Sequence, residues 1–173
     1  MKILIAEDEP EIWKPYKVAL EARGHKVVIS EDGQECLRKY NTELLKQNKI
    51  KTKSSSPAIT SSLKKETAVR SLNQQKRDKK AGSKLISSPL LLPPPFDAVI
   101  LDYRMPKKDG LEAAKEILEL DPRQRIVFAS AYVKETLEDS VKQLKQVVEL
   151  MQKPFEADTL ADTIEDKAAY EVL

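Results

Sequence analysis

The sequence predicts a doubly wound α/β fold, with five parallel strands in one sheet and helices on both faces. Strand and helix signals alternate on either side of one polar interruption, and repeated strand–helix units with right-handed crossovers build a covered parallel sheet. The strand signals are short continuous apolar runs, the pattern of strands buried on both faces. Removing the interruption, residues 43–95, takes out 53 residues and leaves 120, a natural size for one compact domain.

Lys2–Ala6 is the first strand, an apolar run ending in acids. Residues 11–22 follow as a helix with Ile12, Tyr16, Ala19 and Leu20 on one face and Gly24 as its stop. Pro15 lacks an amide donor and is expected to bend or delay the first turns. Val27–Ile29 is the second strand, after which Asp32 caps a helix with Cys36, Leu37 and Tyr40 facing inward. Phe96–Leu101 is the third and strongest strand, running into Asp102. A third helix spans Leu111–Leu120, using Leu111, Ala114, Ile117 and Leu118. Arg125–Ala129 is the fourth strand, and Leu137, Val141 and Leu144 trace a fourth helix. Val147–Met151 is the fifth strand, and a last helix from about Asp158 uses Leu160, Ile164 and Ala168.

Composition narrows the chemistry. Apolar residues are 40% of the chain and charged ones 34%, the balance of a soluble globular protein. The apolar start turns acidic at Glu7-Asp8, too early for a secretory signal, so a cytoplasmic, non-membrane protein is expected. One cysteine, Cys36, and one histidine, His25, leave no disulfide and no zinc site built on several such ligands.

The net charge of +2 hides an asymmetry. Residues 46–95 hold twelve Lys or Arg against two acids, a net of +10, while the remainder holds 18 bases and 26 acids, a net of −8. Lys, Ser, Gln and Pro dominate the interruption, which reads as a flexible basic insertion between the second helix and third strand of a single domain made of residues 1–42 and 96–173. Residues 62–80 carry only a weak helical stripe. Twelve bases attract phosphates nonspecifically, but without aromatic residues among them there is no stacking platform for nucleic acid.

Four strand ends carry chemically pointed residues: Glu7-Asp8, Asp102, Ser130 and Lys153-Pro154. In a parallel sheet these ends lie side by side, and function gathers beyond them. Three crowded carboxylates repel unless a cation sits among them, and hard oxygen ligands suit Mg²⁺. A metal beside a free carboxylate and a lysine is an arrangement for handling phosphoryl groups. Each residue also has a plainer role in isolation: an Asp after a strand caps a turn, Glu7-Asp8 answer a helix dipole, and a lysine is solvated.

The segments Ile3-Leu4-Ile5-Ala6-Glu7-Asp8-Glu9, Val99-Ile100-Leu101-Asp102-Tyr103-Arg104-Met105-Pro106-Lys107-Lys108-Asp109-Gly110, Ala129-Ser130-Ala131 and Lys153-Pro154-Phe155, in this order and on these elements, resemble the response-regulator receiver family. The resemblance covers everything but the insertion. It implies a flavodoxin-like strand order 2-1-3-4-5 and a phosphorylated Asp102. It further implies Mg²⁺ (or Mn²⁺) held by Glu7, Asp8, Asp102 and the backbone carbonyl of Arg104. Ser130 would hydrogen-bond the phosphoryl group, Lys153 would pair with it, and the Lys153–Pro154 bond would be cis. Gly110 would allow the tight loop into the third helix. A sensor histidine kinase or phosphotransfer protein would be the donor, since His25 lies at the opposite end of the sheet. The output would reach a protein partner through the face of the fourth helix, fifth strand and fifth helix, because no DNA-binding domain is expected after Lys153.

Leu150 stands where the family often carries an aromatic residue, and Arg104 and Tyr132 take the two variable positions that tune phosphoryl lifetime; a bulky pair suggests shielding. The rival functions are a degenerate receiver serving as an unphosphorylated scaffold and a haloacid-dehalogenase-like phosphatase. The phosphatase chemistry wants a second Asp two residues after the first, where this chain has Arg104. A receiver acts chemically on its own aspartate rather than as an enzyme on a separate substrate.

Overall fold

The structure, a computed structural model, describes residues 1–54, 92–131, 141–144, 146 and 148–166, with side chains in the first stretch through residue 49. The expected helical stripe at 62–80, most of the 43–95 segment, Tyr132, Leu137 and Ala168 lie outside the described residues.

Five parallel strands, β1 (Lys2–Ala6), β2 (Lys26–Ser30), β3 (Ala98–Asp102), β4 (Ile126–Ser130) and β5 (Glu149–Gln152), form one sheet in the order β2-β1-β3-β4-β5. Alternate residues of β1 feed two cores. Ile3 and Ile5 join Ala98, Ile100, Val127 and Ala129 beneath α1 (Pro10–Ala22) and α4 (Ala157–Glu165), which contribute Tyr16, Leu20, Leu160, Ala161 and Ile164. Leu4 and Ala6 join Val99, Leu101, Ile126 and Phe128 beneath α2 (Gly33–Ser54) and α3 (Gly110–Leu120), which contribute Cys36, Leu37, Tyr40, Ala114, Ile117 and Leu118. Each such Ile, Leu or Phe taken fully out of water contributes about 1.5–3 kcal/mol. The expected helices on both faces are therefore present.

Local chemistry sets the element ends. Gly24 has φ 82°, and His25 N–H donates to the Leu20 carbonyl while Gly24 N–H donates to that of Glu21, a Schellman closure of α1. Pro15 lies inside α1 without delaying it: the helix begins at Pro10, so Pro15 falls in the second turn and removes one hydrogen bond. Asp109 caps α3 in a reciprocal box with Glu112. In α3 the buried set is Gly110, Ala113, Ala114, Ile117 and Leu118, with Leu111 only partly covered.

Two expectations needed adjustment. The helix α2 runs past residue 43 to Ser54, although none of its described side chains beyond Tyr40 is buried. Of the fourth helix, the described part is a short 3₁₀ turn, Lys142–Leu144, with Val141 and Leu144 packed on the α2/α3 core. His25 sits at the amino edge of the sheet, between the chain's amino terminus at 3.3 Å and Glu165 at 2.9 Å. Among the described residues no helix is long and apolar enough to cross a membrane.

Candidate functional site

Register alone brings the strand ends together. Ala6 lies opposite Leu101, Asp102 opposite Ala129, and Ser130 opposite Gln152. The residues that follow, Glu7-Asp8 after β1 and Lys153 after β5, therefore flank Asp102 and Ser130 at one edge. Backbone bonds extend the ladder to them: Glu7 N–H donates to the Ser30 carbonyl at 3.0 Å, and Lys153 N–H to the Ser130 carbonyl at 2.8 Å. The Lys153–Pro154 bond is cis.

Glu7, Asp8 and Asp102 each offer a carboxylate oxygen within 4.8 Å of the others, the group of this kind found among the described residues. Glu7 is buried, Asp8 exposed and Asp102 between the two. The Lys153 ammonium donates to Asp102 Oδ1 at 2.9 Å and also to Glu7 Oε2. Its side chain is 11% exposed, against 3% for Glu7 and 13% for Asp102, so these contacts are sheltered from water and salt. Burial pushes the Glu7 carboxyl above the usual carboxylate range, and Lys153 only partly offsets this. Burial alone would lower the Lys153 ammonium, but its bonds to Glu7 and Asp102 prevail and hold it above the ordinary lysine value. Three acids facing one ammonium leave negative charge uncompensated. The donor set, carboxylate oxygens open to water on the Asp8 side, fits a hard, partly hydrated cation such as Mg²⁺.

Each expected site residue can be located. Ser130 is buried at the end of β4. Arg104 exposes its side chain, while its backbone N–H donates to Asp102 Oδ2 at 3.0 Å, tying the loop after β3 to the carboxylate. Gly110 closes that loop: its N–H donates to the Tyr103 carbonyl at 3.0 Å, and a β-carbon there would lie 2.1 Å from the Asp102 carbonyl oxygen. Leu150 is partly buried and packs against the α2/α3 core.

Asp32 caps α2 as expected, its Oδ1 accepting the Glu35 N–H at 2.6 Å, and its Oδ2 is also reached by the Lys107 ammonium at 2.5 Å, a partner that no sequence signal marks. Asp32 follows β2 at the same edge as the other pointed residues, a signal the sequence carried. The φ of Lys107, 65°, left no trace in it.

The model of the response regulator receiver domain matches residues 59–165; it leaves out β1 to α2, which the sheet topology supplies. The chemotaxis protein CheY of Listeria monocytogenes is 36% identical over 73 residues, covering 42% of this chain and 60% of that protein's length. The transcriptional regulatory protein ZraR of Escherichia coli K12 is 34% identical over 76 residues, covering 43% of this chain but 17% of the relative. Among solved structures, a CheY-like receiver domain protein from Methanospirillum hungatei superposes with TM-score 0.60 at 16% identity, covering 97% of this chain and 93% of that one. The Borrelia burgdorferi CheX–CheY–BeF₃–Mg²⁺ complex gives 0.61 at 19%, covering 95% and 86%. At such identities the structural likeness speaks for the fold, while the sequence match speaks for the family. The two agree, and the chain belongs to the response regulator receiver domain family of two-component systems.

Proposed function

We propose that this receiver accepts a phosphoryl group on Asp102 from a phosphohistidine of a sensor kinase or phosphotransfer protein, and signals as a stand-alone module. The observation that carries the reading is the cluster of three carboxylates within 4.8 Å, two of them bridged by Lys153. A bound Mg²⁺ (or Mn²⁺) would be held by Glu7, Asp8, Asp102 and the backbone carbonyl of Arg104, and would neutralise the phosphoryl oxygens.

The chain's own residues do the rest. A carboxylate oxygen of Asp102 attacks phosphorus in line; the O–P bond forms as the P–N bond breaks, and the departing imidazole keeps the electron pair and takes a proton. Lys153, already 2.9 Å from Asp102, shifts its ammonium onto a phosphoryl oxygen. The Ser130 hydroxyl donates to another, drawing the end of β4 inward. The face around β5, the Lys142–Leu144 turn and α4 then presents an altered surface to a protein partner.

Intact-mass analysis after exposure to a small acyl phosphate with Mg²⁺ tests the reading. One acid-stable, base-labile phosphoryl group is expected, mapped to Asp102 and absent from Asp102→Asn, whose amide is nearly isosteric but far less nucleophilic. Phosphate on Ser130 or Tyr132 instead would sink it.

A further inference from the structure

Among the described residues Lys107 is the non-glycine residue with positive φ, at 65°. A side chain with a β-carbon is disfavoured there, whereas glycine or asparagine adopts this backbone readily. The loop around Lys107 is nevertheless pinned. Lys108 N–H donates to the Pro106 carbonyl at 2.7 Å, closing a γ-turn centred on Lys107, a strained kind when φ is positive. The Lys107 ammonium reaches Asp32 Oδ2 at 2.5 Å, and Asp32 Oδ1 accepts the Glu35 N–H at 2.6 Å at the head of α2. The backbones also meet, since a β-carbon on Gly33 would stand 2.2 Å from the Lys108 carbonyl oxygen. Downstream, Gly110 is seated against the Asp102 carbonyl, and upstream the Arg104 N–H holds the Asp102 carboxylate.

Lysine is therefore a poor choice for this backbone except in one respect, its reach to Asp32. The Lys107 side chain is 62% exposed while that of Asp32 is 10% exposed, so the lysine adds little to the core and much to the fixing of the loop. We propose that Lys107 and Asp32 are a positioning pair for the acceptor site. They hold the 103–110 loop in the left-handed register that sets the Arg104 backbone beside Asp102, without touching the reacting groups themselves. The proposal rests on the reading of Asp102 as phosphoacceptor.

The test uses the full chain with Lys107→Ala, Asp32→Asn, Lys107→Arg and the Ala/Asn double variant. Asn caps a helix about as well as Asp, so Asp32→Asn removes the charge and keeps the cap. Mg²⁺ affinity by calorimetry, the rate of phosphoryl uptake at low and saturating Mg²⁺, and the melting transition are measured for each. Lys107→Ala and Asp32→Asn are each expected to weaken Mg²⁺ binding about three- to tenfold, at or below what residues that orient a metal ligand ordinarily give. Uptake should slow at low Mg²⁺ and recover at saturation. The double variant should be no worse than either single one, because the pair acts as a unit, and Lys107→Arg should restore binding. Unchanged Mg²⁺ affinity in both single variants, or failure of Lys107→Arg to restore it, would reduce the pair to a surface contact and overturn the proposal. Absence of uptake by the unaltered chain, or uptake persisting in Asp102→Asn, would instead overturn the acceptor reading, and this proposal with it.

Discussion

At the amino edge of the sheet the acids are each engaged by a cationic or backbone donor, Arg23 alone serving Asp158, Asp162 and Glu165. Glu43 pairs with Lys2 and Lys46, Asp97 accepts the Lys2 N–H, Asp121 binds Arg123, Glu149 takes Arg125 side-on, and Glu165 shares Arg23 and His25. At the carboxyl edge the same side-chain types stand in a different ratio, with Glu7, Asp8 and Asp102 clustered and Lys153 bonded to Glu7 and Asp102. Charge that is neutralised within the fold contributes to holding it. Charge left over must be answered from outside, by a cation or by protonation. Folding and function thus occupy opposite ends of the same strands, as the switch from balanced to unbalanced charge makes visible.

The strongest way to break this comparison is to unbalance the amino edge. Arg125 is buried, donates to both carboxylate oxygens of Glu149 at 2.7 and 2.9 Å, and also to the carbonyls of Ile164 and Thr163 at the end of α4. Arg125→Ala leaves a partly buried carboxylate and two carbonyls without these donors, and should cost about 3 kcal/mol of unfolding free energy in denaturant titration. The increment in stability that Mg²⁺ adds should survive in that variant, since the carboxyl edge is untouched. At about 100 times its Kd a bound ion adds about 2.7 kcal/mol. Loss of the increment together with the stability would show the two ends to be coupled.

Unbalancing the carboxyl edge should do the reverse. Asp8→Ala removes one of three repelling acids, so melting without divalent ion should hold or rise, while Mg²⁺ affinity by calorimetry falls about tenfold or more. Glu7→Gln should lose less, because Glu7 is already engaged by Lys153. Undiminished affinity in Asp8→Ala would move the metal site elsewhere.

What could be read from the sequence follows the same division. Continuous apolar runs such as Ile3-Leu4-Ile5 and Val99-Ile100-Leu101 identify strands because burial on both faces leaves no polar position. Once strands are parallel, the residues at their ends must be neighbours, which is why Glu7, Asp8, Asp102, Ser130 and Lys153 could be grouped without coordinates. The full extent of α2 was not legible. Beyond Tyr40 its residues are mostly polar, and in the sequence Leu44, Leu45 and Ile50 form no core stripe, so they read as the start of the insertion, although Glu, Leu, Lys and Gln are all good helix formers. The Lys107 loop was not legible either, because its backbone is imposed by contacts with Gly33 and Asp32, residues distant in sequence.

A smaller effect should separate Glu43 from the segment it was grouped with. Its hydrogen bond to Lys2, and then that to Lys46, hold the Glu43 carboxyl below its usual range. A depressed carboxyl stabilises the fold above its unfolded value, and this contribution disappears as pH falls through the folded one. Glu43→Gln should therefore melt slightly below the parent at neutral pH, by about 0.5 kcal/mol, with the gap closing in acid. The gap should also shrink with salt, since both side chains are about a quarter exposed, at 26% and 24%. A gap that widened in acid would reverse the assignment.

A small effect is expected from the largest change. Replacing residues 55–91 by a Gly-Ser linker should leave both the melting transition and phosphoryl uptake from a small donor as they are. The contacts that flank this segment lie outside it: Glu43 is tied to Lys2 at the start of β1, and the Leu92 carbonyl accepts from Arg123 at 2.6 Å. Among the described residues, neither core includes one between 41 and 95. The segment also joins α2 to β3, entering at the amino end of that strand, away from the acidic cleft. The linker must be long enough, because α2 rises about 1.5 Å per residue and its stretch beyond Tyr40 carries the chain roughly 20 Å. About fifteen Gly-Ser residues have a comparable mean span. Loop-closure entropy changes only slowly with length, so shortening the connection should stabilise the fold by at most about 0.8 kcal/mol. Contact of its bases with the acidic body would show as a salt-dependent difference between the two chains, largest at low ionic strength. An unfolded deletion variant would instead mean that residues 55–91 supply part of the core, and that the comparison between the two edges leaves out a third region on which both depend.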